Sequence, residues 1–162
     1  MKRKTLSVLL SAVTVLVLLT YAVAAEKMSA AGFAEYCRSA AANDIIAALA
    51  AGSVMSQQAW FNAAYSNQDP QVLRVLLDTG RKAGVNLLNA TNKYGWTALM
   101  SATRSNKNPE VAKFLIQAGA DVDYTTPEGV NALSLINFVR RKLPGRIEIE
   151  RMLIRASARY RK

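Results

Sequence analysis

Apolar residues recur at helical spacing along most of the chain. Two stretches show the same i, i+3, i+4 pattern: Val72, Val75 and Leu76, then Val111, Phe114 and Leu115. This spacing is typical of a helix that buries one face. The alternation of apolar and polar residues that marks a half-buried strand does not flank either stretch. The pattern therefore predicts an all-α fold.

The two helical stretches belong to a longer segment that occurs more than once. Residues 58–80 align without gaps with residues 97–119 at a constant offset of 39. A third copy begins at Gly129, 34 residues after Gly95, and a degenerate first copy lies at residues 33–53. Self-similarity at such a period indicates a repeat architecture in which neighbouring units share one core.

Each copy carries signals for two helices joined by a turn. Thr97 and Asn131 stand where a side-chain oxygen can cap the start of a short, alanine-rich first helix. Pro70 and Pro109 stand at the first turn of the second helix, where the missing N–H of proline costs no hydrogen bond. The repeated unit is therefore predicted to be helix, turn, helix.

A glycine follows the second helix in both central copies. Gly80 aligns with Gly119, and we expect each glycine to end its helix as a C-cap. The sequence before Gly80, Asp-Thr-Gly, is also the active-site sequence of aspartic proteases. Such a site needs a second carboxylate and a loop between strands. Because Asp78 aligns with Gln117 at a helix end, we expect a solvated side chain.

The copy at residues 92–129 resembles the ankyrin-repeat family. It has the D/N-x-x-G-x-T-x-L opening, the alanine of the first helix, the V-x-x-L-(L/I) second helix and the "AGADV" exit. The family's T-P-L-H tetrapeptide is replaced by "TALM" at residues 97–100 and "NALS" at residues 131–134. The chain has no histidine, so the hydrogen bonds which that residue makes in the family are absent.

The resemblance implies a short α-solenoid of about four helix-turn-helix repeats joined by short hairpin fingers. We expect the repeats at approximately residues 30–56, 57–91, 92–125 and 126–160. The first and last copies would serve as caps. The extra residues "RKAG" after Gly80 stretch the repeat spacing, and we expect them to lengthen a finger.

Residues 1–25 are a different kind of sequence. Basic residues at positions 2–4 precede a long apolar run that ends in small residues around Ala24. This is the pattern of a secretory signal peptide, predicted to form a leader helix and to be cleaved near Ala24 or Ala25. The domain at residues 26–162 would then be periplasmic or secreted. Because the run is long enough to span a bilayer, an uncleaved anchor in the inner membrane is the alternative.

The charge distribution and the cysteine and histidine content limit the kinds of site that the chain can form. Residues 25–139 carry nine basic and nine acidic side chains, whereas residues 140–162 carry nine basic residues against Glu148 and Glu150. Cys37 is the one cysteine, so no disulfide can form within the chain, and we expect this thiol to be buried. One cysteine without histidine excludes a zinc set and a Cys–His or Ser–His–Asp nucleophile. We predict no enzymatic activity, no cofactor and no metal.

In the ankyrin-repeat family, which this chain resembles, partners bind to the fingers and to the exposed side of each first helix. These elements together line a concave surface. The corresponding positions here are Tyr65, Lys93, Tyr94, Trp96, Arg104, Ser105, Glu128 and Phe138. Tyr, Trp and Arg are the residue types that dominate interface energies. The alternative for Trp96 is that it folds back onto the neighbouring repeat. Trp60 aligns with the inward position of Leu99, so we expect it in the core.

The basic C-terminal segment is a second candidate surface. An apolar face of the last helix is marked by Ile149, Met152, Leu153, Ala156 and Tyr160. Arg151, Arg155 and Arg159 recur every fourth residue on the other side. Such a stripe suits an anionic membrane surface or an acidic protein. The alternative is the solvated face of a capping repeat.

These features together favour a bacterial, exported, monomeric module that binds a protein partner through its concave surface. It would be an accessory or assembly factor for another exported protein. One alternative is a periplasmic immunity or inhibitor protein directed against a toxin or enzyme. A second alternative is a membrane-associated structural protein of the envelope. Because export separates the chain from the nucleic acids of the cytoplasm, no nucleic-acid partner is expected.

Overall fold

The computed structural model describes residues 27–138 and 145–160, with all side chains except those of Phe138 and residues 158–160. Eight helices lie in these ranges: α1 Ala30–Tyr36, α2 Ala42–Ala50, α3 Gln57–Ser66, α4 Pro70–Lys82, α5 Ala98–Ser105, α6 Pro109–Gln117, α7 Ala132–Phe138 and α8 Arg146–Tyr160. The all-α prediction is confirmed for this part of the chain. The predicted leader, residues 1–25, lies outside the described residues. None of the described helices combines the length and apolar character needed to cross a membrane.

Short polar side chains set where the odd-numbered helices begin. Ser29, Ser56 and Thr97 precede α1, α3 and α5, and each side-chain oxygen accepts a hydrogen bond from a backbone N–H of the first turn. At the start of α7, the Asn131 Oδ1 accepts from the Ser134 N–H at 2.8 Å. These bonds satisfy amides that have no partner inside the helix. The predicted caps at Thr97 and Asn131 are confirmed.

Proline starts the two central even-numbered helices. Pro70 and Pro109 are the first residues of α4 and α6, as predicted. The residue before each proline completes the cap, because the Asp69 and Asn108 side chains accept hydrogen bonds from the second N–H of the helix at 2.9 and 3.0 Å. The two turns between paired helices therefore have the same local structure.

The helices pack in two layers. The odd-numbered helices contact one another in sequence order from α1 to α7, and the even-numbered helices from α2 to α8 form the second layer against them. Alanines in α3 and α5 are buried at the contact, including Ala63 and Ala102 at 0% and 1% exposure. Small side chains allow two helix backbones to approach closely. The result is a stack of helix pairs with one continuous core, in which Trp60 is fully buried as predicted.

Two buried asparagines join neighbouring helix pairs. Asn106 donates its side-chain amide to the backbone carbonyls of Ala64 and Asn67 at 3.0 and 2.8 Å. Asn67 makes the same connection one pair earlier, to the carbonyls of Cys37 and Ala40 at 3.0 and 2.9 Å. Each asparagine thus satisfies two backbone carbonyls of the preceding pair, which would otherwise be buried without a partner.

The expectation that Gly80 ends its helix is wrong. α4 continues to Lys82, with Ala83 as its C-cap, and the glycine with positive φ is Gly84 at +72°. Gly80 lies inside the helix and is buried against Leu87, which leaves no space for a Cβ. Only Gly119 has the predicted role, with φ +95° after α6.

The extra residues "RKAG" also have a different effect from the one expected. α4 has 13 residues and α6 has nine, so the insertion adds about one helical turn. The connections that carry the fingers are nearly equal in length, at residues 83–97 and 118–131. The insertion therefore lengthens the second helix and leaves the finger unchanged.

Candidate functional site

Two fingers project from the stack at residues 91–97 and 125–131. An antiparallel bridge closes each one at its base, between Thr91 and Thr97 and between Thr125 and Asn131. Each tip turns at a glycine with positive φ, Gly95 at +71° and Gly129 at +80°. Only glycine adopts such a conformation without a steric cost. The two fingers are therefore copies of one backbone structure.

Side chains at the base of each finger fix its tip. The Asn92 Oδ1 accepts hydrogen bonds from the backbone N–H groups of Tyr94 at 2.9 Å and Trp96 at 3.1 Å. In the second finger, the Thr126 Oγ1 accepts from the Val130 N–H at 3.3 Å. A hydrogen bond from Thr126 is also the main reason why the pKa of the exposed Glu128 carboxyl is lowered. Glu128 is therefore ionised at neutral pH.

The fingers and the odd-numbered helices enclose a depression of about 630 Å³, which we call the groove. Its lining combines aromatic, polar and aliphatic side chains from the first three helix pairs and both fingers: Arg38, Gln58, Phe61, Asn62, Tyr65, Asn92, Tyr94, Trp96, Ser101, Arg104, Glu128 and Val130. Tyr94 is 67% exposed and Tyr65 is 47% exposed. The groove thus has aromatic surface that is accessible to solvent.

Cations stack on aromatic rings in and beside the groove. The Arg104 Cζ lies 4.7 Å from the centroid of the Trp96 ring, and the Lys93 Nζ lies 5.0 Å from the centroid of the Tyr94 ring. At the opposite side, the Arg38 Cζ lies 6.0 Å from the centroid of Tyr65. Such contacts hold a flexible cation in one orientation and leave its N–H groups at the surface.

The floor of the groove is a closed hydrogen-bond network around Asn62. Its amide donates to the Ala34 carbonyl at 2.8 Å, and its Oδ1 accepts from Gln58 at 2.8 Å. Arg38 also reaches this oxygen at 3.5 Å while pairing with Glu35 at 2.8 Å. Because these groups already satisfy one another, the floor is a rigid base for the exposed side chains above it.

The groove brings together five of the eight predicted contact residues: Tyr65, Tyr94, Trp96, Arg104 and Glu128. Lys93 lies beside the groove against the Tyr94 ring. Ser105 is half-buried at the end of α5 and does not line the groove. The side chain of Phe138 lies outside the described residues. Trp96 is half-buried against the core edge while it lines the groove, so it contacts the fold and faces the open space.

Sequence reasoning missed several lining residues, although the signal for some of them was present. Gln58, Phe61 and Asn62 were missed, although they lie on one face of α3 with the predicted Tyr65, at i, i+3, i+4 and i+7. By the repeat offset of 39, Ser101 of the next helix pair is the equivalent of Asn62. Arg38 follows the end of α1, where helical periodicity gives no indication of its direction.

Asp78 and Cys37 lie away from the groove. Asp78 is exposed near the end of α4 and forms an ion pair with Arg81 at 3.8 Å, which agrees with the expected solvated side chain. Cys37 is fully buried, as predicted, and burial raises the pKa of its thiol to about 12. A buried protonated thiol is a poor nucleophile. Among the described residues, no three His, Cys, Asp or Glu side chains cluster as a metal site.

The last helix presents a mixed face to solvent. Ile149 and Leu153 are buried, while Arg151 and Arg155 are exposed, which agrees with the predicted division of α8. Two isoleucines break the polar side, because Ile147 is 64% exposed and Ile154 is 52% exposed. The side chains of Arg159 and Tyr160 lie outside the described residues.

Comparison with known proteins identifies the stack. The family model described as "Ankyrin repeats (3 copies)" matches residues 35–126. Three relatives, the proteins called NAD-capped RNA hydrolase NUDT12 of Macaca fascicularis, Pongo abelii and Homo sapiens, are each 42% identical over 52 residues. That match covers 32% of this chain and 11% of the relative, so the hydrolase activity is stated of those proteins alone. Ankyrin repeats generally mediate protein–protein interaction and are typically non-catalytic. The chain belongs to the ankyrin-repeat family.

Proposed function

We propose that this protein is a non-catalytic binding module that acts outside the cytoplasm and holds a protein partner in the groove. Its role would be that of an accessory or assembly factor for another exported protein. The observation that carries the proposal is the grouping of the exposed Tyr65 and Tyr94 and the half-buried Trp96 with Arg104 in one depression. These residue types dominate interface energies when they are clustered and pre-oriented.

The rigidity of the groove supports the proposal. Side-chain hydrogen bonds fix the fingers and the floor, and stacking orients the arginines. Binding to such a surface loses less conformational entropy than binding to a mobile one. The sequence of residues 1–25 supports export, and it is the basis for placing the partner in the periplasm or outside the cell.

Affinity capture with matched variants tests this proposal. The groove variant is Tyr94→Ala/Trp96→Ala, and the control is Arg74→Ala/Phe114→Ala, which removes a similar stacked pair (5.6 Å) between α4 and α6. We expect the control to retain the partners of the native protein and the groove variant to lose them. A partner list that the groove variant leaves unchanged contradicts the proposal. A toxin among the partners would favour the immunity role over the accessory role.

A second candidate function is association with an anionic membrane surface through α8. Exposed Ile147 and Ile154 lie on the same side of this helix as Arg151 and Arg155, and residues 140–162 carry a net charge of +7. Basic residues near an anionic bilayer contribute about 1 kcal/mol each. Exposed apolar side chains between them can enter the headgroup region.

Vesicle sedimentation of the full-length protein separates this candidate from simple solvation. Vesicles of equal parts phosphatidylglycerol and phosphatidylcholine are compared with vesicles of phosphatidylcholine alone. We expect stronger binding to the anionic vesicles, which weakens in Arg151→Gln/Arg155→Gln but not in the charge-matched control Arg74→Gln/Arg81→Gln. If both variants lose vesicle binding to the same extent, binding depends only on the total charge of the protein, which would contradict a role for α8.

A further inference from the structure

Arg104 differs from the other arginine of the groove in having no carboxylate partner. Among the described residues, the ion pairs join Arg38 to Glu35, Arg81 to Asp78 and Lys113 to Glu110. Arg104 is exposed at the last turn of α5 and rests on the face of Trp96. Its charge is therefore available to a ligand, whereas the charge of Arg38 is already compensated within the protein.

The stacking on Trp96 prepares Arg104 for one kind of ligand. A guanidinium group is planar and presents paired N–H donors along its edge, which match the two oxygens of a carboxylate. When one face lies on an aromatic ring, the plane is fixed and the edge remains free. Less side-chain entropy is then lost when the carboxylate binds. The guanidinium group of Arg104 is therefore already oriented, with its edge free, before a partner binds.

The groove also has a polarity. Arg104 supplies positive charge from α5, and Glu128 supplies negative charge from the second finger, on the lining of the same depression. No ion pair within 4.0 Å joins these two described residues. An acidic group is therefore favoured near Arg104 and disfavoured near Glu128. A bound segment would be held in one direction by this difference.

We propose that the groove recognises an acidic segment of its protein partner by binding an Asp or Glu carboxylate to the guanidinium edge of Arg104. This inference rests on the proposed function, because it assigns the chemistry of the partner to the same groove. Tyr94 and Tyr65 line the same groove as Arg104, and they supply aromatic surface for the residues that flank the carboxylate. The carboxylate gives the specificity, and the aromatic surface gives contact area.

Selection from a displayed random-peptide library tests the proposal directly. The full-length protein is immobilised as the native sequence, as Arg104→Gln, and as Arg81→Gln, which removes an exposed arginine on α4. We expect Asp and Glu to be enriched among peptides selected by the native protein and by Arg81→Gln, and not by Arg104→Gln. Glutamine keeps a polar side chain of similar length, so folding is preserved while the charge is removed.

A double-mutant cycle then identifies the pair. A selected peptide and its Glu→Gln or Asp→Asn counterpart are measured against the native protein and Arg104→Gln. We expect each single change to weaken binding about tenfold, which is the effect of one charge-assisted hydrogen bond. Making both changes should weaken binding little more than either one alone. Higher salt should reduce the native affinity more than that of Arg104→Gln.

The outcomes separate this inference from the proposed function. Peptides that require Tyr94 and Trp96 but show no enrichment of acidic residues would overturn the role of Arg104 and leave the groove as the binding surface. Peptides whose binding is unchanged by Tyr94→Ala/Trp96→Ala would overturn the groove itself. Failure to select any peptide would count against both.

Discussion

The two central repeats, α3–α4 and α5–α6, share the parts that hold the backbone and differ in the parts that face outward. Both begin with a hydroxyl cap, turn at a buried asparagine, and restart at a proline. On the groove side, Asn62 and Tyr65 of the first repeat are replaced by Ser101 and Arg104 at the same positions of the second. The shared positions are structural, and the substituted positions give the groove its chemistry.

A second difference between the two repeats lies at the end of the even-numbered helix. α6 ends after nine residues at an ordinary glycine cap, whereas α4 continues for another turn over Gly80. Gly80 is needed there because a Cβ at this position would clash with the side chain of Leu87. The repeat therefore tolerates an insertion in its outer layer without any change in the finger that serves the groove.

The largest effect on stability is expected when the junction that the two repeats share is broken at Asn106. Asn106→Ala removes two bonds to buried carbonyls and the acceptor for the Asn108 N–H at 2.9 Å. We expect the free energy of unfolding to fall by about 3 kcal/mol, because buried backbone groups lose their partners. Urea denaturation measures this change.

Asn67→Ala tests the equivalent junction between the first and second helix pairs. It should cost less than Asn106→Ala, because it weakens the attachment of a terminal pair that has one neighbour. Asn43 is an exposed asparagine on α2, and Asn43→Ala is the control, with an expected change within about 0.5 kcal/mol. A cost below about 1 kcal/mol for Asn106→Ala would show that the junction is not structural.

The next effect tests the difference between the helix ends. In Gly80→Ala the new Cβ would lie 2.5 Å from the Leu87 Cδ1 and 3.0 Å from its Cγ. Alanine favours a helix interior by about 1 kcal/mol, but overpacking a buried site costs about 1–3 kcal/mol. Because Leu87 is 1% exposed and confined, we expect a net loss of stability, measured by thermal and urea unfolding.

Gly84→Ala is the matched control for Gly80. No atom lies within 4 Å of its Cβ position, but its φ of +72° disfavours alanine, so we expect a loss of about 1 kcal/mol from conformation alone. The two losses should differ in their dependence on Leu87. In a Leu87→Ala background the cost of Gly80→Ala should shrink, while that of Gly84→Ala should persist. Equal persistence of both costs would contradict the packing explanation.

An effect that appears only at alkaline pH concerns Cys37, whose carbonyl accepts a hydrogen bond from Asn67. Burial raises the pKa of this thiol from 9.0 to about 12, so the folded state keeps a proton that the unfolded state releases between these values. The resulting stabilisation is complete below about pH 9 and is lost as pH rises toward 12. We expect unfolding free energy to decrease less steeply above pH 9 in Cys37→Ala than in the native protein.

Thiol labelling at pH 8 uses the same residue to compare the two junctions. The native protein should react slowly, because labelling requires local opening around Cys37. Asn67→Ala should accelerate labelling more than Asn106→Ala, since Asn67 contacts the Cys37 carbonyl directly. The reverse order would show that the first helix pair is not held at this junction.

The smallest effect is expected at Asp78, where the repeats differ without structural consequence. Its ion pair with Arg81 is 3.8 Å long, and both side chains are more than half exposed. Surface pairs of this kind contribute little. Asp78→Asn should change the unfolding free energy by less than about 0.5 kcal/mol and leave partner capture unchanged. Loss of capture in this variant would place function on α4.

The sequence predicted the elements whose signals are local. Caps at Thr97 and Asn131, the prolines that start α4 and α6, and the buried Trp60 all follow from adjacent residues or from alignment of the copies. The error at Gly80 arose because a gapless alignment equated two glycines in different environments. The contact with Leu87 that decides its role joins a helix to the following loop, and no local pattern encodes it.

The groove could be predicted in part for the same reason. The family resemblance and the repeat offset led to Tyr65, Tyr94, Trp96, Arg104 and Glu128, all of which line it. Arg38 was missed because its position depends on how α1 packs beside α3. The stacking of Arg104 on Trp96 depends on the rotamers of residues eight positions apart, which a sequence pattern does not specify.

Site-specific photo-crosslinking tests the central claim most directly, namely that the groove is the surface that meets the partner. In cells that naturally make the protein, p-benzoylphenylalanine replaces Tyr65 or Tyr94 in the groove, or Gln71 or Gln117, which are exposed on α4 and α6. We predict that the two groove positions give an adduct with the same partner protein and that the two outer positions give none. Adducts from Gln71 and Gln117, with none from Tyr65 and Tyr94, would contradict the account.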